Sequence, residues 1–106
     1  MRFAIYGAGG LGGYYGARLA EAGQEVAFIA RGAHLEAIRK NGLKVISPLG
    51  DAHLKKPTAT SDPKEVGTVD VVIVAVKTWQ VPEAARAMQP MIGADTIVVP
   101  FLNGVQ

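Results

Sequence analysis

Five glycines fall within seven positions near the start of the chain: Gly7, Gly9, Gly10, Gly12 and Gly13. Glycine loses more conformational freedom on folding than any other residue, so so dense a cluster implies a backbone path that side chains would block. Its flanks narrow the choice. Phe3 to Tyr6 is a short run with apolar residues on both faces, which predicts a buried strand. Over residues 10–22 the period changes. Leu11, Tyr15, Leu19 and Ala22 recur at helical spacing, and Gly12, Gly16 and Ala20 form a second row of small residues only. A helix with one smooth side can lie very close to a sheet. Gly23 stands where a left-handed residue would end that helix.

The rest of the chain continues the alternation. Glu25 to Ala30 predicts a second strand, and Ala33 to Lys40 a short helix with Leu35 and Ile38 inward, stopped by Gly42. Leu43–Ser47 and Ala52–Lys56 flank Pro48-Leu49-Gly50-Asp51 and predict a hairpin. Thr58 to Thr60 is a candidate for brief pairing with the main sheet. In Ser61-Asp62-Pro63 an N-cap is followed by proline at an early helical position. Asp70 to Val76 is β-branched and apolar on both faces, as a strand inside a parallel sheet must be. Pro82 opens a helix with Val81, Ala84, Ala85 and Met88 inward, and Pro90 closes it. Thr96 to Leu102 is the last predicted strand. The order predicts a Rossmann-type doubly wound α/β fold, mainly parallel, with a β-hairpin insertion, occupying residues 1–106 as one domain. The chain ends after a strand that no predicted helix covers. We therefore expect a fragment of a longer protein.

Composition excludes several functions. The chain has 106 residues, 49% of them hydrophobic and 19% charged, as in a globular domain. A net charge of +2 without long basic runs gives no footprint for nucleic acid but suits an anionic small ligand. Without cysteine there is no disulfide framework and no thiolate metal site. No apolar run has the length of a signal peptide or a membrane span, so the expected location is the cytoplasm. His34 and His53 lack neighbours at metal-ligand spacing, no Ser-His-Asp set is legible, and no catalytic acid can be named. Trp79, Tyr14 and Tyr15 are expected to be packing residues.

Four places carry the candidate chemistry. Gly7-Ala8-Gly9-Gly10-Leu11-Gly12 follows a strand and opens a helix, which is the context in which G-x-G-x-x-G holds the pyrophosphate of a dinucleotide. Gly7 permits the turn, Gly9 lets the backbone approach the phosphates, and Gly12 lets the helix approach the sheet. Free N–H groups at the helix start then face the anion. Dinucleotide sites that take NAD place an acid about 20 residues further on, at the end of the second strand. Here that end reads Ile29-Ala30-Arg31. A carboxylate would repel the 2′-phosphate of NADP, whereas the planar guanidinium fork matches it, so Arg31 predicts NADP(H). Lys77 closes the apolar run of residues 70–76 at its carboxyl end. It either marks the strand's exit or sets a charge over cofactor or substrate. Asn103, at the corresponding end of the last strand, is either half of an Asn-Gly turn or an amide facing the same crevice.

These motifs, in this order, resemble the N-terminal domain of the ketopantoate reductase (2-dehydropantoate 2-reductase) family. The resemblance rests on the glycine loop, Ala30-Arg31-Gly32, Val76-Lys77-Thr78-Trp79-Gln80 and Asn103-Gly104-Val105, and it spans the chain. It implies NADPH-dependent reduction of a small 2-oxo acid to the 2-hydroxy acid, on the route to pantothenate. It also implies that Arg31 meets the 2′-phosphate, that Lys77 lies near the cofactor and that Asn103 borders nicotinamide and substrate. The family's proton-donating lysine and most substrate contacts belong to a helical C-terminal domain, through which a homo-oligomer would also form. Two other readings stay open: a non-catalytic nucleotide-sensing domain, or another NADP-dependent hydroxy-acid dehydrogenase.

Overall fold

A computed structural model describes residues 1–7, 10–45, 50–55, 57–76 and 78–100. The elements follow the predicted alternation. They are β1 (Arg2–Tyr6), α1 (Gly10–Glu21), β2 (Glu25–Ile29), α2 (Gly32–Asn41), β3 (Leu43–Val45), β4 (Ala52–Leu54), β5 (Thr58–Thr60), α3 (Pro63–Val66), β6 (Val71–Val74), α4 (Val81–Ala87) and β7 (Ile97–Pro100). Short 3-10 turns cover Thr78–Gln80 and Gln89–Met91. Five strands form one sheet in the order β5-β2-β1-β6-β7, with all four neighbouring pairs parallel. β3 and β4 pair antiparallel in a separate hairpin, with Leu43 opposite Leu54. Its tip, at residues 46–49, lies outside the described residues. With the hairpin set aside, the strand order is 3-2-1-4-5, which reverses direction at β1.

Alternation along the strands splits the core into two layers. Ile5, Phe28 and Ile73 face one side, joined by Ala17 of α1 and by Leu35 and Ile38 of α2. Ala4, Ile29 and Val72 face the other, against Ala84, Met88 and Met91. Both faces are covered, which is why the interior strands read as continuous apolar runs.

Helix α1 meets the sheet through its small residues. A Cβ on Gly16 would stand 2.5 Å from Phe28 and 2.8 Å from Ile5. A Cβ on Gly12 would run into the side chain of Ala75 and stand 2.6 Å from the Gly7 carbonyl oxygen. The smooth row sets how deep the helix lies. The other predicted row is divided: Leu19 packs against the core, whereas Tyr15 is exposed, edge-on to Tyr14 with ring centroids 5.4 Å apart, and Ala22 is exposed.

Helix ends follow local chemistry. Gly23 follows α1 with φ +93°. Gly42 closes α2, its N–H donating to the Ile38 carbonyl at 2.8 Å. Asp62 caps α3 by accepting from the Lys64 N–H at 3.0 Å, with Pro63 in the first turn.

Several expectations need correction. Ala85 is exposed, because α4 turns Ala84 and Met88 inward and Ala85 sits off that stripe. Trp79 is 73% exposed, since the 3-10 turn that carries it lies beyond the end of β6. Strand β6 is shorter than residues 70–76, although Asp70 still bonds on both sides, its N–H donating to the Arg2 carbonyl at 2.9 Å and its carbonyl accepting from the Ile97 N–H at 3.0 Å. β2 ends one residue early, though Ala30 still donates to the Thr60 carbonyl at 3.1 Å. β7 starts at Ile97, because the Thr96 hydroxyl accepts from the Gly93 N–H and donates to the Val69 carbonyl. Among the described residues no helix is long and apolar enough to cross a membrane.

Candidate functional site

Parallel strands bring their carboxyl ends to one edge. Tyr6 is in register with Ile29 on one side and Val74 on the other, and Ile29 with Thr60. In an open α/β sheet the crevice lies outside these ends, where the strand order reverses. Here that point is the exit of β1, where Gly7 makes the turn towards α1.

The turn is tightly held. Gly7 has φ +96°, a left-handed conformation strained for any residue with a Cβ. A Cβ there would also stand 2.5 Å from the Ala75 carbonyl oxygen. The Gly7 N–H donates to the Ile29 carbonyl at 3.1 Å, and the Ala75 N–H to the Tyr6 carbonyl at 2.8 Å. The glycine is thus clamped between the exits of β2 and β6. Three residues on, α1 begins with twelve residues and no acid in its first turn. The unpaired N–H groups of that turn and the positive end of the helix suit an anion, and no carboxylate competes from the helix itself. Gly7, Gly10, Leu11 and Gly12 of the predicted loop are therefore on the carboxyl edge. Ala8 and Gly9 lie outside the described residues.

Arg31 reaches the same edge from β2. It is the residue before α2, extended at φ −136° and ψ 160°, and its side chain makes no capping bond. Its Nη1 donates to Glu83 Oε1 at 3.2 Å. Glu83 lies in the first turn of α4. Both side chains are mostly exposed, at 70% and 62%, so the pair contributes little to stability. Tyr6, half-buried at the end of β1, lies on the strand between the two elements that carry them. Burial raises its hydroxyl above the usual tyrosine value of 10.0, with the Arg31 charge lowering it and the Glu83 charge raising it. Lys77 and Asn103 lie outside the described residues.

The sequence reading missed Glu83 and Tyr6. Glu83 carries only a weak signal, an acid in the first turn after Pro82, and its partner is 52 positions away. A hollow of about 620 Å³, lined in part by Arg2, Glu25, His53 and Val69, lies at the amino end of the strands. It is at the wrong edge for a dinucleotide.

The reversal of strand order at β1, the clamped glycine turn and the helix start define an α/β domain of the Rossmann type. More narrowly, the chain belongs to the family described as ketopantoate reductase PanE/ApbA, whose pattern matches residues 3–106. A 2-dehydropantoate 2-reductase of Mesorhizobium japonicum is 41% identical over 106 residues, covering 99% of this chain and 32% of that protein. The crystal structure of 2-dehydropantoate 2-reductase from Geobacter metallireducens superposes with a TM-score of 0.89 at 39% identity, over 100% of this chain and 35% of that one. D-mandelate dehydrogenase, solved with NADH and anilino(oxo)acetate, superposes with a TM-score of 0.84 at 31% identity, over 100% of this chain and 35% of that one. The chain thus spans about a third of the length of these relatives.

Proposed function

We propose that residues 1–106 are the NADPH-binding domain of an oxidoreductase that reduces ketopantoate, or a related 2-oxo acid, to the 2-hydroxy acid. The observation that carries the cofactor reading is Arg31, exposed at the end of β2 on the edge where Gly7 turns into α1. The donor set fits a phosphorylated dinucleotide: a helix start without acid in its first turn, and a guanidinium beside it. Gly7, Ala8, Gly9, Gly10, Leu11 and Gly12 would hold the pyrophosphate, and Arg31 the 2′-phosphate. Lys77 would add positive charge near the cofactor, and Asn103 would border nicotinamide and substrate. The bound nicotinamide supplies the hydride. The proton donor and most substrate contacts would come from a helical domain outside these residues, and that domain would carry any homo-oligomer contact. Membership of the ketopantoate reductase family supports the enzyme over a nucleotide sensor. The cytoplasm is where such a reductase would meet its cofactor.

A second reading has one observation behind it: the related D-mandelate dehydrogenase was solved with NADH. The deciding experiment offers the full-length protein NADPH or NADH with ketopantoate and with aromatic and aliphatic 2-oxo acids. Turnover of ketopantoate with NADPH preferred is the expected result. Tight NADPH binding without turnover of any 2-oxo acid would discard the substrate reading and leave the cofactor domain. A preference for NADH would discard the role given to Arg31.

A further inference from the structure

Glu83 has no part in the function just proposed, yet it holds the side chain on which that function turns. Arg31 follows β2 and α4 follows β6, while β1 lies between and pairs with both strands. The ion pair therefore crosses the end of β1, directly beyond the glycine turn. Tyr6, on that intervening strand, senses both charges, which places its phenol close to the bridge. The link is a single bond of 3.2 Å between two mostly exposed side chains. Arg31 does not use its side chain to cap its own helix. A contact this weak is a poor brace for the fold. It is, however, a carboxylate resting on the guanidinium at the place where a bound phosphate would rest.

We propose that Glu83 is a specificity-determining residue: its carboxylate stands in for a phosphate on Arg31 in the free protein, and a 2′-phosphate must displace it. The proposal rests on the reading of Arg31 as the 2′-phosphate contact. A phosphate offers the guanidinium fork several charge-assisted bonds against the one from Glu83, so displacement is downhill. It still lowers the observed affinity, because only the fraction of molecules with Arg31 released is ready to bind. Once displaced, the carboxylate also stays near a dianion and repels it. A dinucleotide with a free 2′-hydroxyl makes no demand on Arg31 and leaves the bridge closed. Glu83 would thus tune the NADPH-to-NADH ratio without touching the nicotinamide.

The opposite sign is physically possible: a carboxylate that held Arg31 in its phosphate-binding posture would strengthen NADPH binding. The test separates the two. NADPH and NADH are titrated into the full-length protein and into its Glu83→Gln, Arg31→Ala and doubly substituted forms. Glu83→Gln should tighten NADPH roughly two- to tenfold, the range set by releasing one exposed ion-pair partner and one nearby like charge. NADH affinity should change less than about twofold, since no group on it competes for Arg31. In the Arg31→Ala background most of the NADPH gain should vanish. Unchanged or weaker NADPH binding in Glu83→Gln, or equal gains for both cofactors, would overturn the proposal. If Arg31→Ala alone leaves NADPH affinity unchanged, or weakens both cofactors equally, the reading of Arg31 fails and this proposal with it.

Discussion

Two arginines stand at opposite ends of the same sheet, and they are used differently. Arg2, at the amino end, has each of its three guanidinium nitrogens engaged. Its Nε donates to Glu25 at 2.9 Å, Nη1 to the Thr68 carbonyl at 2.7 Å and Nη2 to the Val66 carbonyl at 2.9 Å. Its own N–H donates to Asp70, whose N–H returns to the Arg2 carbonyl at 2.9 Å. These bonds tie the start of β1 to the start of β2 and to the chain entering β6. Among the described residues the Arg31 side chain, at the carboxyl end, makes one hydrogen bond, to Glu83 at 3.2 Å. The amino end is held together by side chains. The carboxyl end is held by backbone, through the clamped Gly7, and its side chains remain available to a ligand. A ligand edge needs this division, because a guanidinium whose every nitrogen is already engaged has few donors left to offer a phosphate.

The hardest blow to this contrast is a substitution in the backbone packing itself. Gly12→Val should cost about 3 kcal/mol of stability, as expected for overpacking against atoms that cannot yield. The Gly7 carbonyl and Ala75 are the atoms it would meet. An unchanged denaturation midpoint would show that α1 does not depend on the smooth row. Next comes Arg31→Ala, expected to lower NADPH affinity by about 1.5–3 kcal/mol, the worth of hydrogen bonds to a charged group. NADH affinity should hardly move, and stability should stay within about 0.5 kcal/mol, as for an exposed side chain. Arg2→Ala should show the reverse pattern. Its side chain is 48% exposed, so we expect a modest stability loss of about 1–2 kcal/mol and equal affinities for the two cofactors relative to the parent. Discrimination lost at Arg2, or stability lost at Arg31, would erase the difference between the ends.

The smallest effect concerns Tyr6. Its folded-state pKa is raised above the usual 10.0, mainly by burial. Its contribution to stability is therefore fully present below the unfolded tyrosine value and is lost as pH rises through the folded one. Between those values the folded state binds more protons, so stability falls with pH. Tyr6→Phe should flatten that part of the alkaline stability profile and leave neutral-pH stability nearly unchanged. An identical alkaline slope in the variant would show that Tyr6 is not the group responsible.

Much of the fold was legible because its signals are local. The switch from apolar run to helical period at residue 10, the stop at Gly42 and the Asp62-Pro63 cap each act within one turn of chain. Burial directions were legible where a stripe was unambiguous, as for Leu35 and Ile38. They were misread for Tyr15, where two rows compete on one helix and only the neighbouring sheet decides which it accepts, and for Ala85, which sits at the margin of a single stripe. Trp79 was misread because size and hydrophobicity say nothing about whether a turn has a layer above it. Of the candidate site, the glycine turn and Arg31 were legible from type and position. Glu83 was not, because its partner is brought to it by two crossovers and an intervening strand.

The sequence by itself determined that a strand, a glycine turn and a helix open the chain, and that no acid follows the second strand. Those depend on backbone freedom and residue chemistry within a few positions. Only the tertiary structure decided that β1 lies between β2 and β6, and therefore that Arg31 and Glu83 meet across its end. Strand order is a property of how covered faces pack, and it alone sets the distance between charges 52 residues apart.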